Sequence, residues 1–209
     1  LYFTLRKQWL SAGLLATLSG ATRPTGLTVV AAVILAALAE LRRRESLQPL
    51  MAILLAPIGW AGFITYVAVH THSSSLFAYF SIQRDWGNGF DGGDAFFSWL
   101  VGALIHQPFV GLPVLVLLSL FGWALVATCR STIPTPLKIY GTLLVLSALT
   151  TAGYFSSKPR YLIPAFVLLI PLAEYISRQN RKVQIALSCA GVALAAISGA
   201  FWLLGSTAP

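Results

Sequence analysis

FVGLPVLVLLSLFGWALVAT, residues 109–128, runs for 20 positions without a charged side chain. At about 1.5 Å per residue, such a helix is roughly 30 Å long, the thickness of a bilayer's hydrocarbon core. The apolar residues follow one another without the alternation of a barrel strand, which excludes an outer-membrane β-barrel. The whole chain shares this character. Of 209 residues, 57% are hydrophobic and only 10% are charged, against about 25% charged in soluble domains. Mean hydropathy is +0.78. The expected fold is an all-α polytopic membrane helix bundle, not a soluble enzyme.

Downstream of this run, Arg130 and Lys138 bracket a short turn containing Pro134 and Pro136. Residues 137–155 then form a second apolar stretch and 156–160 a tight polar turn. Residues 161–176 form a third, with Pro164 and Pro171 inside it, and 183–204 a fourth. Upstream, residues 47–70 are apolar, with Pro49 and Pro57 predicting a bend. Residues 9–41 are apolar too, but Thr22-Arg23-Pro24-Thr25-Gly26 divides them into halves of 13 and 15 residues. Pro and Gly end helices, and neither half is long enough to cross comfortably. The expectation is about five full spans plus one short helical hairpin with Arg23 at its tip.

Basic residues set the orientation, because Lys and Arg concentrate on the cytoplasmic side. Ten fall at one set of ends: Arg6, Lys7, Arg42, Arg43, Arg44, Arg130, Lys138, Arg178, Arg181 and Lys182. Four fall at the other: Arg23, Arg84, Lys158 and Arg160. The net charge of +8 is therefore a topology signal, and no nucleic-acid partner is expected. Residues 71–107 become the long outer loop, with AFFSWLVGALI (95–105) as an interfacial helix. Cys129 and Cys189 fit no disulfide or CxxC pattern and read as small core residues. The chain shows no signal-peptide pattern and opens on apolar Leu1-Tyr2-Phe3. Residues 1–209 thus read as a single transmembrane domain, the C-terminal portion of a longer protein.

The polar chemistry gathers on the outer side. Gln83, Arg84, Asp85, Trp86, Asn88, Asp91 and Asp94 fall within 12 residues. Trp86 and Gln83 suit sugar recognition, the ring stacking on a pyranose face and the amide bonding its hydroxyls. Asp85 and Asp91 are candidate general bases for an acceptor hydroxyl. Structural roles compete: Asp94 can N-cap a helix starting at Ala95, Asp91-Gly92-Gly93 can be a turn, and Trp86 and Trp99 can be interface anchors. Lys158-Pro159-Arg160-Tyr161 places two cations at the head of a helix, a cradle for a lipid-linked phosphate or a pair of snorkelling charges. Arg23, between two apolar halves, calls for an anionic partner or a wet cavity, the alternative being simple exposure at a shallow tip. His70, His72 and His106 have no metal-ligand spacing, and Gly87–Asp91 is one copy of a pattern that binds calcium only in stacks. No metal and no cofactor are expected.

Three segments together resemble one family. GLLATLSGATRPTGL (13–27), FAYFSIQRDWG (77–87) and SSKPRYLIPAFVLLIP (156–171) look, in order and spacing, like the later part of bacterial PIG-V-like mannosyltransferases, multi-spanning glycosyltransferases of the GT-C class. The resemblance implies an inverting glycosyltransferase of a bacterial inner (plasma) membrane, with a polyprenyl-phosphate sugar as donor, mannose as the sugar and an acceptor of unknown identity. It implies a donor phosphate held by Arg23, Lys158, Arg160 and Arg84, and a sugar site at Gln83, Trp86 and Tyr161. The acidic motif that these enzymes carry near a Trp-Asp pair in their first outer loop has no counterpart here, so the main catalytic acid is expected outside this stretch.

A lipid-linked-sugar transporter or flippase is the competing expectation, although no second copy of TRPTG or SKPRY suggests an inverted repeat. A noncatalytic membrane subunit presenting loop 71–107 is another. All three share the topology, which is testable. Single cysteines at positions 46 and 74, in a background lacking Cys129 and Cys189, should label from opposite sides of the membrane. Labelling of both from one side refutes the arrangement.

Overall fold

A computed structural model describes residues 1–22, 25–43, 46–71, 78–87, 89–152, 162 and 164–204, the last eight as backbone only. The fold is all-α. In chain order the helices are α1 (Tyr2–Leu5), α2 (Trp9–Thr22), α3 (Gly26–Leu41), α4 (Pro49–Leu55), α5 (Ile58–His70), α6 (Ala78–Asp85), α7 (Asp94–His106), α8 (Pro108–Arg130) and α9 (Thr135–Leu149). A 3-10 turn (Phe166–Leu168) leads into α10 (Leu169–Ser177), and α11 (Arg181–Leu204) follows. Among the described residues the sole β pairing is an isolated bridge between Phe90 and Thr151.

The apolar run 9–41 is a hairpin, α2 and α3, interrupted where Pro24 and Gly26 were expected to end a helix. Lys7 forms an ion pair with Glu40 at its open end, and Gly26 lies against the Ser19 carbonyl near its closed end. The two helices are therefore antiparallel. α4 and α5 also pack on α2, and α4 touches α3 as well. Gly13 faces Ala52 and Leu55, Thr17 faces Gly59, and Gly20 faces Trp60. Both numbers rise together, so α4–α5 runs in the same direction as α2. Pro57 separates α4 from α5, as the sequence suggests. Thr17 Oγ1 donates to the Leu55 carbonyl beside this break, satisfying an acceptor where the helical ladder is interrupted.

One core, shared by α2, α3 and α4, contains Trp9, Ala12, Ala16, Val30, Val33, Ala37 and Ala52, all buried. A second joins α3 to α9 and to the turn before α10, through Ala32, Tyr140, Leu144, Val145, Val167 and Leu168. α3 thus has a face in each. α7 folds back on α8, burying Phe96, Leu100 and Ala103 along one stripe. Gly111 of α8 meets the backbone of Ala103 and Leu104.

Two stretches, Pro49–His70 with 22 residues and Pro108–Arg130 with 23, are long and apolar enough to cross a membrane. Two expected spans are shorter. α9 ends at Leu149 and does not continue to Phe155. There Thr150 and Thr151 return their hydroxyls to the Leu146 and Ser147 carbonyls, and Ala152 N–H bonds the Gly89 carbonyl instead of a helical one. The stretch 161–176 is not one helix either. Pro164 and Ala165 lie outside helix, and α10 begins only at Leu169, with Pro171 in its first turn, where no N–H is needed. Residues 78–85, read as loop, form α6, which packs on α5 through Phe63–Tyr79 and Trp60–Phe80 ring contacts. Cys129 and Cys189 are exposed, not core residues.

The helix contacts generate a stability test. A Cβ at Gly59 collides with the Thr17 carbonyl, whereas at Gly62 nothing lies within 4 Å. Gly59→Ala should lose about 1–3 kcal/mol through forced separation of α2 and α5. Gly62→Ala should be neutral or stabilising by up to ~1 kcal/mol. Equilibrium unfolding in detergent measures both.

Candidate functional site

The candidate loop is built on α6 and its connection to α7. Gln83, Arg84 and Asp85 form the last turn of α6, and Trp86 follows it. α6 is anchored on α5 by Tyr79 and Phe80, which leaves its other end exposed. Arg84, Asp85 and Trp86 are all solvent-facing, Trp86 at 64%. Asp85 makes no hydrogen bond or ion pair with any described residue. The structure thus groups Gln83, Arg84, Asp85 and Trp86 by local helix geometry alone.

Asp91 has a definite structural role. Its Oδ1 accepts the Gly93 N–H at 2.9 Å and its Oδ2 the Ala95 N–H at 2.9 Å. Asp91 is therefore the side chain that caps α7, and Asp94, expected as the cap, is the first residue of the helix. Gly92 and Gly93 make this possible. Their φ angles of +71° and +98° turn the chain back over the carboxylate, a conformation that disfavours residues with a Cβ. With both oxygens engaged by backbone donors, and negative charge favoured at a helix N-terminus, Asp91 is less available than Asp85 as a base.

The same loop is stitched to the end of α9. Asp91 N–H donates to the Thr150 carbonyl at 3.2 Å, and Ala152 N–H donates to the Gly89 carbonyl at 2.8 Å. Ala152 precedes Ser156 by only four residues. The chain leading into the second polar turn is thus fastened to the first. Lys158, Arg160 and Tyr161 themselves lie outside the described residues, as does Arg23.

The neighbours of those cations do meet. A cavity of about 160 Å³ is lined by Ser19, Thr22, Thr25, Tyr140, Leu144 and Pro164, among others. Thr22 and Thr25 flank Arg23-Pro24 in the chain, and Pro164 follows Arg160 by four residues. Tyr140 ties the far wall together. It is 6% exposed, donates its hydroxyl to the Pro164 carbonyl at 3.1 Å, and lies against the Phe166 ring. The cavity sits at the closed end of the α2–α3 hairpin, between α3, α9 and the chain entering α10. Sequence reading missed Ser19 and Tyr140. The available signal was a hydroxyl within an otherwise apolar helix, beside Gly141, against which Val167 and Leu168 pack. Among the described residues no cluster of His, Cys, Asp or Glu could hold a metal ion. Compared with family models, curated proteins and solved structures, the chain matches none of them.

The cap predicts a separation of the two loop carboxylates. Asp91→Ala should cost about 0.5–2 kcal/mol of stability, whereas Asp85→Ala, on an exposed helix end, should stay within ~0.5 kcal/mol. Denaturant titration of both variants, with Asp91→Asn retaining part of the cap, checks the assignment.

Proposed function

We propose that this chain is the donor-binding portion of an inverting membrane glycosyltransferase that uses a polyprenyl-phosphate-linked sugar, mannose being the sugar that the family resemblance implies. The observation that carries the reading is the cavity at the hairpin tip, whose walls are the chain neighbours of Arg23 on one side and of Arg160 on the other. It offers hydroxyl-bearing residues inside an otherwise apolar bundle, a setting suited to a phosphate whose lipid tail stays in hydrocarbon.

The membrane part of the reading rests on exposed apolar surface. α8 exposes Phe109 at 95%, with Leu112, Val116, Leu117, Leu120 and Trp123 at least half exposed. A helix of this length with so little buried needs a non-aqueous solvent. In this reading residues 47–70, 109–128, 137–155, 161–176 and 183–204 cross the bilayer, α9 and α10 being the shorter helices of two of these crossings. The fastening of Gly89–Asp91 to Thr150–Ala152 supports a common side for the 71–107 and 156–160 segments.

The chemistry is substitution at the anomeric carbon. An acceptor oxygen forms the new C–O bond as the bond to the polyprenyl phosphate breaks, the phosphate leaving with the electron pair. Arg23, Lys158, Arg160 and Arg84 are the cations proposed to stabilise that growing charge. Gln83, Trp86 and Tyr161 are proposed to hold the sugar. The acceptor's proton goes to a carboxylate, Asp85 being the more available of the two described here, or to one elsewhere in a longer chain.

Donor titration of the full-length protein tests the reading. Arg160→Ala and Arg23→Ala should each weaken donor affinity or turnover roughly 10- to 150-fold, the loss of a charge-assisted bond of about 1.5–3 kcal/mol. Arg160→Lys should be milder but not neutral, because Lys cannot grip phosphate in bidentate fashion. Unchanged affinity and turnover in both alanine variants would leave these residues as surface cations. Donor binding without any transfer to an acceptor would favour a transporter.

A further inference from the structure

The surface formed by α8 and α10 carries a feature that donor binding does not use. An open groove of about 400 Å³ runs between the two helices, lined by Leu120, Trp123, Leu172 and Tyr175. All four side chains are exposed, Trp123 at 52% and Tyr175 at 55%. Arg178 follows Tyr175 by less than one helical turn, and Arg181 and Lys182 begin α11 directly afterwards. Arg130 ends α8, two turns beyond Trp123. None of these four cations forms an ion pair with a described residue, the one such pair being Lys7–Glu40. Glu174 is the single carboxylate on α10 and stands one turn from Arg178 without bonding to it.

We propose that this groove binds an anionic phospholipid, with an acyl chain against Leu120 and Leu172, the glycerol region at Trp123 and Tyr175, and the phosphate among Arg178, Arg181 and Lys182. The argument is charge complementarity at one end of an apolar trough. Amphipathic aromatic rings sit at the headgroup level of a bilayer. Basic clusters next to grooves between membrane helices attract acidic headgroups. Arg in particular matches phosphate through its planar fork. A zwitterionic lipid would fill the groove equally well but would leave the cations uncompensated. The inference rests on the membrane part of the proposed function and is independent of the glycosyl-transfer chemistry.

The test uses the full chain reconstituted into phosphatidylcholine vesicles containing brominated phosphatidylglycerol or, at equal fraction, brominated phosphatidylcholine. Bromine quenches tryptophan on contact, and the difference between the unmodified protein and Trp123→Phe isolates Trp123 from the other tryptophans. The expected result is an enrichment of phosphatidylglycerol at Trp123 of about fivefold or more, the ratio expected when even one cation engages the phosphate. The ratio should fall towards one in about 0.5 M salt, and likewise in Arg178→Gln/Arg181→Gln/Lys182→Gln. The salt arm needs no variant, so it holds even where the triple change disturbs folding. Equal quenching by both lipids overturns the proposal while leaving the membrane reading intact. Absence of quenching of Trp123 by either lipid, with other tryptophans quenched, means that protein covers the groove and also overturns it. No quenching of any tryptophan by either lipid removes the membrane reading itself.

Discussion

The architecture depends on how closely α2 approaches its neighbours. Gly13, Gly20 and Gly59 put the backbone of α2 against the backbones of α4 and α5, with Ala12, Ala16, Ala52 and Ala56 buried alongside. With so little side-chain bulk at the contact, dispersion between backbones supplies the attraction. This is the packing mode expected where lipid removes the hydrophobic drive for helices to associate. Close approach also brings Thr17 within reach of the Leu55 carbonyl, so that acceptor has a donor beside the break before Pro57. The hairpin, the kink and the parallel course of α2 and α5 are one arrangement.

That arrangement decides where the cavity lies. α3 doubles back along α2 from Gly26 and presents Val29 and Ala32 to α9, so the closed end of the hairpin faces Tyr140 and Leu144. Tyr140 then anchors Pro164, the residue at which the chain re-enters the bundle after the second polar turn. The Tyr140 hydroxyl bonds the Pro164 carbonyl, and the cavity that both line also brings in Thr25, 139 residues before Pro164 in sequence. The pairing of Gly89–Asp91 with Thr150–Ala152 joins the loop after α6 to the end of α9. Both links meet the chain on either side of residues 153–161, which carry Lys158 and Arg160.

Functional assignment follows different physical routes at the two carboxylates of the loop. Asp91 is held by two amides and a pair of positive-φ glycines, a geometry that stabilises α7. Asp85 lies at an exposed helix end, where no described residue constrains it. A base must accept a proton from a positioned hydroxyl, so free lone pairs matter more than burial here.

Much of the fold was legible in the residues. The hairpin break at Arg23-Pro24-Thr25-Gly26 follows from backbone chemistry: Pro lacks an N–H and Gly lacks a Cβ, and neither depends on a distant partner. The apolar runs 49–70 and 108–130 needed only composition and length. By contrast, α6 was invisible because its 8 residues are stabilised by rings of α5, not by their own propensity. The cap of α7 was assigned to Asp94 because adjacency in sequence favours it, whereas the turn at Gly92-Gly93 brings Asp91 back instead. α9 stops at Leu149, where the Thr150 carbonyl and the Ala152 N–H pair with a loop about 60 residues earlier, information that no local window holds. Sequence by itself determined which long segments are apolar and where the first of them breaks. Only the tertiary structure decided which of them touch, because glycine contacts, a tyrosine bond and one backbone bridge act between segments whose spacing along the chain carries no signal.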